Sequence, residues 1–203
     1  MTVAPNPLVD LTNVADACAY LTSVGVAVPA NSDTLQLLIT AVSQQIQSWT
    51  ARKFISQSYS TVLSGRGGCR LYLRNTPISA VASLSVNGLA ISAAASWGQF
   101  GYIFDETTVS LAGYEFCRGV GNISISYTAG YDPIPADVVL ACQMGLAAVL
   151  SSEIRDPLLS KWRAGDTEQD FAVSPQLLLA ISKICISGPV TSMLSSYQRV
   201  APA

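Results

Sequence analysis

No histidine occurs anywhere in these 203 residues. That absence removes the usual general base, the Ser-His and Cys-His nucleophile pairs, and most catalytic zinc sites. Charge is scarce too: Asp, Glu, Lys and Arg make up 12% of the chain, against about a quarter in average soluble domains. With a net charge of −2, no global attraction to nucleic acid exists. The longest apolar run, VVLACQMGLAAVL at 138–150, is too short to span a bilayer. MTVAPNPLVDLTN lacks the basic start and apolar centre of a secretory signal. The five cysteines, Cys18, Cys69, Cys117, Cys142 and Cys185, form no C-x-x-C and are odd in number. They are expected to be reduced thiols in a protein made in the cytoplasm. The Asn122-Ile-Ser sequon then carries no meaning.

Catalytic and ligand-binding motifs are missing as well. There is no S-x-x-K and no G-x-S-x-G. The glycines of GRGG at 65–68 are followed by neither lysine nor a helical pattern, so they are not a phosphate-binding loop. Asp166, Glu168 and Asp170 alternate like the start of a calcium loop. The sixth position is Phe171 rather than glycine, however, and the twelfth is Leu177 rather than glutamate. The expectation is a non-enzyme with no cofactor and no metal.

What is present is grease and pattern. Half of the residues are hydrophobic, which implies subunit interface or a well-filled core under a Ser/Thr-rich surface. LTNVADACAYLTS predicts a helix over 11–22, capped by Thr12 or Asn13. TLQLLITAVSQQIQSWTARKF predicts a long helix over 33–53. Its stripe is Leu35, Leu38, Ile39, Val42, Ile46 and Trp49, with Gln44, Gln45, Gln47 and Ser48 on the remaining surface. From 57 to 128 the period changes to two. Tyr59, Thr61 and Leu63 share one side. Ala82, Leu84 and Val86 alternate before an Asn87-Gly88 turn of type I′. GYIFDETTVSL gives two short strands, and Ile123, Ile125 and Tyr127 face one way. A helix over 135–152 follows, with Pro135 and Asp137 in its first turn. It is apolar nearly all round, so both faces should be covered. Core on one side and a neighbouring subunit on the other is the natural pairing, with Val138, Leu140, Met144, Leu146 and Val149 as interface residues. EIRDPLLSKWRAGDTEQDFAVS reads as a partly helical, mobile segment. SPQLLLAISKICIS reads as a helix, and Val190, Met193, Leu194 and Tyr197 as a short apolar stripe. The fold class is α+β, a helical framework with an inserted antiparallel β region. The expected division is a core over 1–155 and an extension over 156–203.

The basic residues cluster. No acid lies between Asp33 and Asp105, while Arg52, Lys53, Arg66, Arg70 and Arg74 all fall there. On a strand, Arg70 and Arg74 share a face. They could meet a phosphate backbone or an acidic patch on a neighbour, or simply guard a sheet edge. Stacking aromatics between them are nearly absent, which argues against single-strand readout.

Three stretches carry a resemblance: LTNVADACAYLT with DTLQLLITAVSQQIQSWTARKF, then SGRGGCRLYLRNTPISAVASLSVNG, then GVGNISISYTAGYDPIPADVVLACQMGLAAVL. Together they resemble the head–tail connector (adaptor) proteins of long-tailed bacteriophages. That resemblance implies a ring, typically of twelve copies, at the head–tail junction of the virion. The ring binds the portal, extends the DNA channel without reading sequence, and presents a surface to the next neck, stopper or tail protein. Portal docking falls by resemblance on Met193, Leu194, Tyr197 and Arg199. The arginines at 66, 70 and 74 would face a neighbouring subunit or the next ring. The other reading is a soluble β-rich module, such as a tail-fibre or host-recognition domain. No membrane partner is expected.

Overall fold

The computed structural model describes residues 4–96, 98–153, 161–164, 167–170 and 188–198. It divides into two compact units. One joins Met1–Ala51 to Ile134–Ala203, and the other is Arg52–Pro133. The second unit is built of strands and is inserted in a chain whose first unit holds the helices and one short antiparallel pair, in keeping with the α+β reading.

In the helical unit, α1 (Val14–Ser23) starts at Asn13, whose side chain accepts the N–H of Asp16. Asn13, not Thr12, is therefore the cap. α2 (Ser32–Thr50) is capped by Asn31 in the same way. It ends three residues short of the expected 53, because Ala51 turns left-handed at φ 52° and its N–H closes onto the Gln47 and Ser48 carbonyls. α3 (Ala136–Glu153) matches the expected third helix. A short helix, Pro189–Leu194, packs against α3.

The buried side of α2 is only half apolar. Leu35, Ile39, Val42 and Ile46 are buried, and so are Gln36, Ser43, Gln47 and Thr50. Gln47 was expected among the exposed polar residues, but a strap of chain preceding α1 changes its surroundings. Its Nε2 donates to the Val9 carbonyl at 2.8 Å. Ser43 Oγ accepts the Leu11 N–H at 3.0 Å. The Asp10 carboxylate receives Gln36 Nε2 at 2.6 Å, Thr40 Oγ1 at 2.7 Å and the Asn6 N–H at 2.7 Å. A buried polar side chain is tolerated only when bonded, and these bonds fix where the strap lies.

The β unit stacks two antiparallel sheets. The first runs β1 (Gln57–Gly65), β7 (Gly119–Ala129), β3 (Ile78–Val86), β4 (Leu89–Ala90). The second runs β2 (Arg70–Tyr72), β6 (Thr108–Ala112), β5 (Gly101–Phe104). β7 is central, and its alternation decides the layers. Ile123, Ile125, Tyr127 and Ala129 point into a core shared with Leu84, Val86, Val109, Leu111 and Phe116. Tyr59 stacks on Tyr127 with centroids 5.5 Å apart. Asn87 and Gly88 both have positive φ, 51° and 80°, as a type I′ turn needs. Ala82 departs from expectation. The register passes from Val81↔Tyr127 to Ser83↔Ser126, so Ala82 is the extra residue of a bulge and is exposed.

Within the segment expected to be partly helical, the described residues include an antiparallel pair, β8 (Lys161–Ala164) with β9 (Thr167–Asp170). The helix expected over 174–187 lies outside the described residues.

Replacing Asp10 with alanine removes the acceptor for Gln36 and Thr40 together. Bonds to a charged group contribute about 1.5–3 kcal/mol. Urea unfolding of Asp10→Ala should show a loss in that range, with the midpoint falling and the slope unchanged.

Candidate assembly surfaces

The sequence points to three surfaces, and the structure treats them differently. α3 carries the first. Val138, Leu146 and Val149 are buried within the helical unit, with Ala141, Cys142 and Leu150 beside them. Their apolar area is used by the chain's own core, so they are corrected from interface to core. Leu140 and Met144 stand four residues apart and are half-buried, as are Gln143, Ala147 and Ala148. This side of α3 has no charged residue between Asp137 and Glu153, so it is the side of the helix still offering apolar surface.

The second surface is the short helix near the end of the chain. Leu194 is fully buried and Val190 nearly so, while Met193 is half-buried. The Tyr197 hydroxyl donates to Asp137 Oδ1 at 3.1 Å, tying this element to the start of α3. Of the expected docking residues, Leu194 and Tyr197 are thus engaged within the chain. Arg199 lies outside the described residues.

The third surface is the end of the β unit where β1 finishes. Arg66 and Arg70 are exposed there, and Arg70 shares the open side of β2 with Tyr72, which is 71% exposed. Arg74 is exposed too; it lies two residues past the end of β2, while Leu73 is buried. A residue that spacing alone did not reveal joins this end. Arg118 is exposed, and its Nε donates to the Arg66 carbonyl at 3.3 Å. Its side chain lies over Gly67, whose φ is +77°. The register Gly65↔Gly119 brings these distant segments together.

Asn122 holds this end in shape. Its Oδ1 accepts the Gly65 N–H at 2.9 Å. Its Nδ2 donates to Asn87 Oδ1 at 3.0 Å and to the Cys117 carbonyl at 2.9 Å. Its own carbonyl accepts the Asn87 N–H at 2.7 Å. One amide therefore joins the end of β1, the loop before β7 and the β3–β4 turn. Space is tight as well: a Cβ on Gly65 would stand 1.9 Å from the Cys117 oxygen. In the sequence Asn122 shows only as part of a sequon without context, and no periodicity marks it.

Among the described residues, no group of three or more His, Cys, Asp or Glu could hold a metal ion. No helix among them is long and apolar enough to cross a membrane. Asp105 sits in the β5–β6 turn with its carboxyl held below the usual carboxylate range. The Thr107 N–H is the main cause, followed by the Thr108 hydroxyl and N–H.

Removing the amide at 122 should loosen this end specifically. Asn122→Ala breaks three side-chain hydrogen bonds worth about 1 kcal/mol each. Hydrogen exchange should quicken over residues 65–69 and 115–118, with the helices α1–α3 unaffected.

Comparison with known proteins agrees with this architecture. The family model described as "Head completion protein" matches residues 11–147. No curated protein matches the chain. Among solved structures, the fold is similar to a chain in the neck of a native gene transfer agent (GTA) particle computed with C12 symmetry. That match has TM-score 0.58 and 16% identity, covering 100% of this chain and 95% of the other. A chain in the neck of an empty GTA particle computed with C6 symmetry is similar at TM-score 0.57 and 18% identity, over the same shares. A chain in the virion of the native GTA particle is similar at TM-score 0.58 and 18% identity, over 99% and 95%. The matched segment takes in α1, α2, the whole β unit and most of α3, and the chain belongs to the head completion protein family.

Proposed function

We propose that this chain is a structural component of the phage neck, at the head–tail junction of the virion. It assembles there as a closed ring of twelve copies, binds the portal and lengthens the DNA channel. It then offers a surface to the next neck, stopper or tail protein. Double-stranded DNA passes through without sequence readout. A structural role at the junction follows from family membership; the ring, its number and the portal contact are the further step.

The observation that carries this reading is the uncovered side of α3. Leu140 and Met144 are half-buried, and no charge interrupts that side between Asp137 and Glu153. A helix side of that kind is covered in the working assembly. The GTA neck proteins of similar fold come from particles treated with C6 and C12 symmetry, which favours copies of the chain as the cover. The scarcity of charge suits a channel through which DNA must slide, because a strongly basic lining would hold it. No observation favours a host-recognition module in the same way.

Electron microscopy of the purified chain, alone and mixed with the portal of its own phage, tests the reading. Annular particles with uniform rotational symmetry are expected in at least the mixture. Single 21.3 kDa chains in both samples would overturn it.

A further inference from the structure

A groove of about 670 Å³ opens in the helical unit between the strap, the start of α1 and the start of α3. Leu11, Val14, Ile134 and Val139 supply apolar wall, and Asp10 and Asp16 supply charge. Thr12 also lines it. That residue is 9% exposed, and its Oγ1 is buried with no hydrogen-bond partner. Its hydroxyl lies beneath the groove surface, not open to it.

The charged residues that line the groove, Asp10 and Asp16, are both acidic. No Lys or Arg occurs in residues 4–51 or 134–151, where Asp10, Asp16, Asp33 and Asp137 all lie. Asp10 is held by the neutral donors Gln36, Thr40 and the Asn6 N–H. Asp16 is exposed and receives Asn13 Nδ2 at 2.8 Å. None of these neutral donors cancels the negative charge. The β unit has the opposite balance. Arg52–Pro133 carries six basic and four acidic residues, a net +2, while the rest of the chain carries five basic and nine acidic, a net −4. At the end of β1, Arg66, Arg70 and Arg118 are exposed, with Glu115 as the acid in the adjoining loop.

We propose that the groove receives the arginine-bearing end of the β unit of a second copy. An arginine stem can lie along the apolar walls while its guanidinium reaches the exposed Asp16 carboxylate. Asn122 keeps Arg66 and Arg118 presented from one rigid end, which lowers the ordering cost of the contact. The contact is heterologous: one surface gives and a different surface takes, so repetition closes a ring when the rotation allows. The proposal rests on the ring reading and deepens it by naming a contact between copies additional to the Leu140 and Met144 side of α3.

A charge exchange in the full-length chain tests it. Asp16→Arg alone and Arg118→Glu alone should each raise the concentration needed for half-assembly by at least about tenfold, measured by mass photometry. The doubly exchanged chain carries Asp16→Arg and Arg118→Glu together, and should return to within about threefold of wild type. Raising the salt should weaken wild-type assembly. Melting curves of each variant separate lost contact from lost fold. If a single variant fails to fold, the double variant decides: its assembly supports the contact, and its failure overturns it. Wild-type rings with variants that assemble equally well, or a double variant whose losses merely add, overturn this contact and leave the ring standing. A wild-type chain that stays single with its portal present overturns the ring reading and this contact with it.

Discussion

A helix that is apolar on nearly every side cannot be satisfied from one direction. α3 is such a helix, and the proposed assembly follows from how its sides are used. Val138, Cys142, Leu146 and Val149 are buried against the chain itself. Leu140 and Met144 stay only half covered. Water around that apolar surface carries a free-energy cost proportional to its area. Association with another chain removes the cost, and a neck ring is the setting in which copies of one chain lie side by side.

The rest of the helical unit is held by polar bonds as much as by burial. α2 buries Gln36, Ser43 and Gln47 because the strap supplies Asp10, the Leu11 N–H and the Val9 carbonyl. Such a network has a geometric consequence that an oily interface lacks, since only one placement of the strap satisfies every donor. That placement builds one wall of the groove and sets Asp10 and Asp16 beside it. The β unit has a similar arrangement where β1 finishes, with the Asn122 amide tying three segments. Rigid ends and a shaped groove are features suited to recognition.

Much of this was legible in the sequence. The α2 stripe, the β7 alternation of Ile123, Ile125 and Tyr127, the Asn87-Gly88 turn and the inserted β region all follow from periodicity and turn chemistry. The family resemblance was legible too, in the three stretches that the family model also spans. The misses share one cause. Gln47, Val138, Leu146 and Ala82 were placed by local pattern, while tertiary neighbours decide their surroundings. The Val9 carbonyl draws Gln47 inward, the core takes Val138 and Leu146, and a bulge turns Ala82 out. Arg118 and Asn122 carry no periodic signal. Only the pairing of β1 with β7 makes them neighbours of Arg66 and Gly65.

The side of α3 that carries Met144 is where the central claim is most exposed to test. Hydroxyl-radical footprinting with mass spectrometry, comparing assembled and dissociated chain, reads that side chain directly. If copies cover the side, oxidation of Met144 falls several-fold on assembly. Equal oxidation of Met144 in both states would mean that the ring, if it forms, is built from another surface.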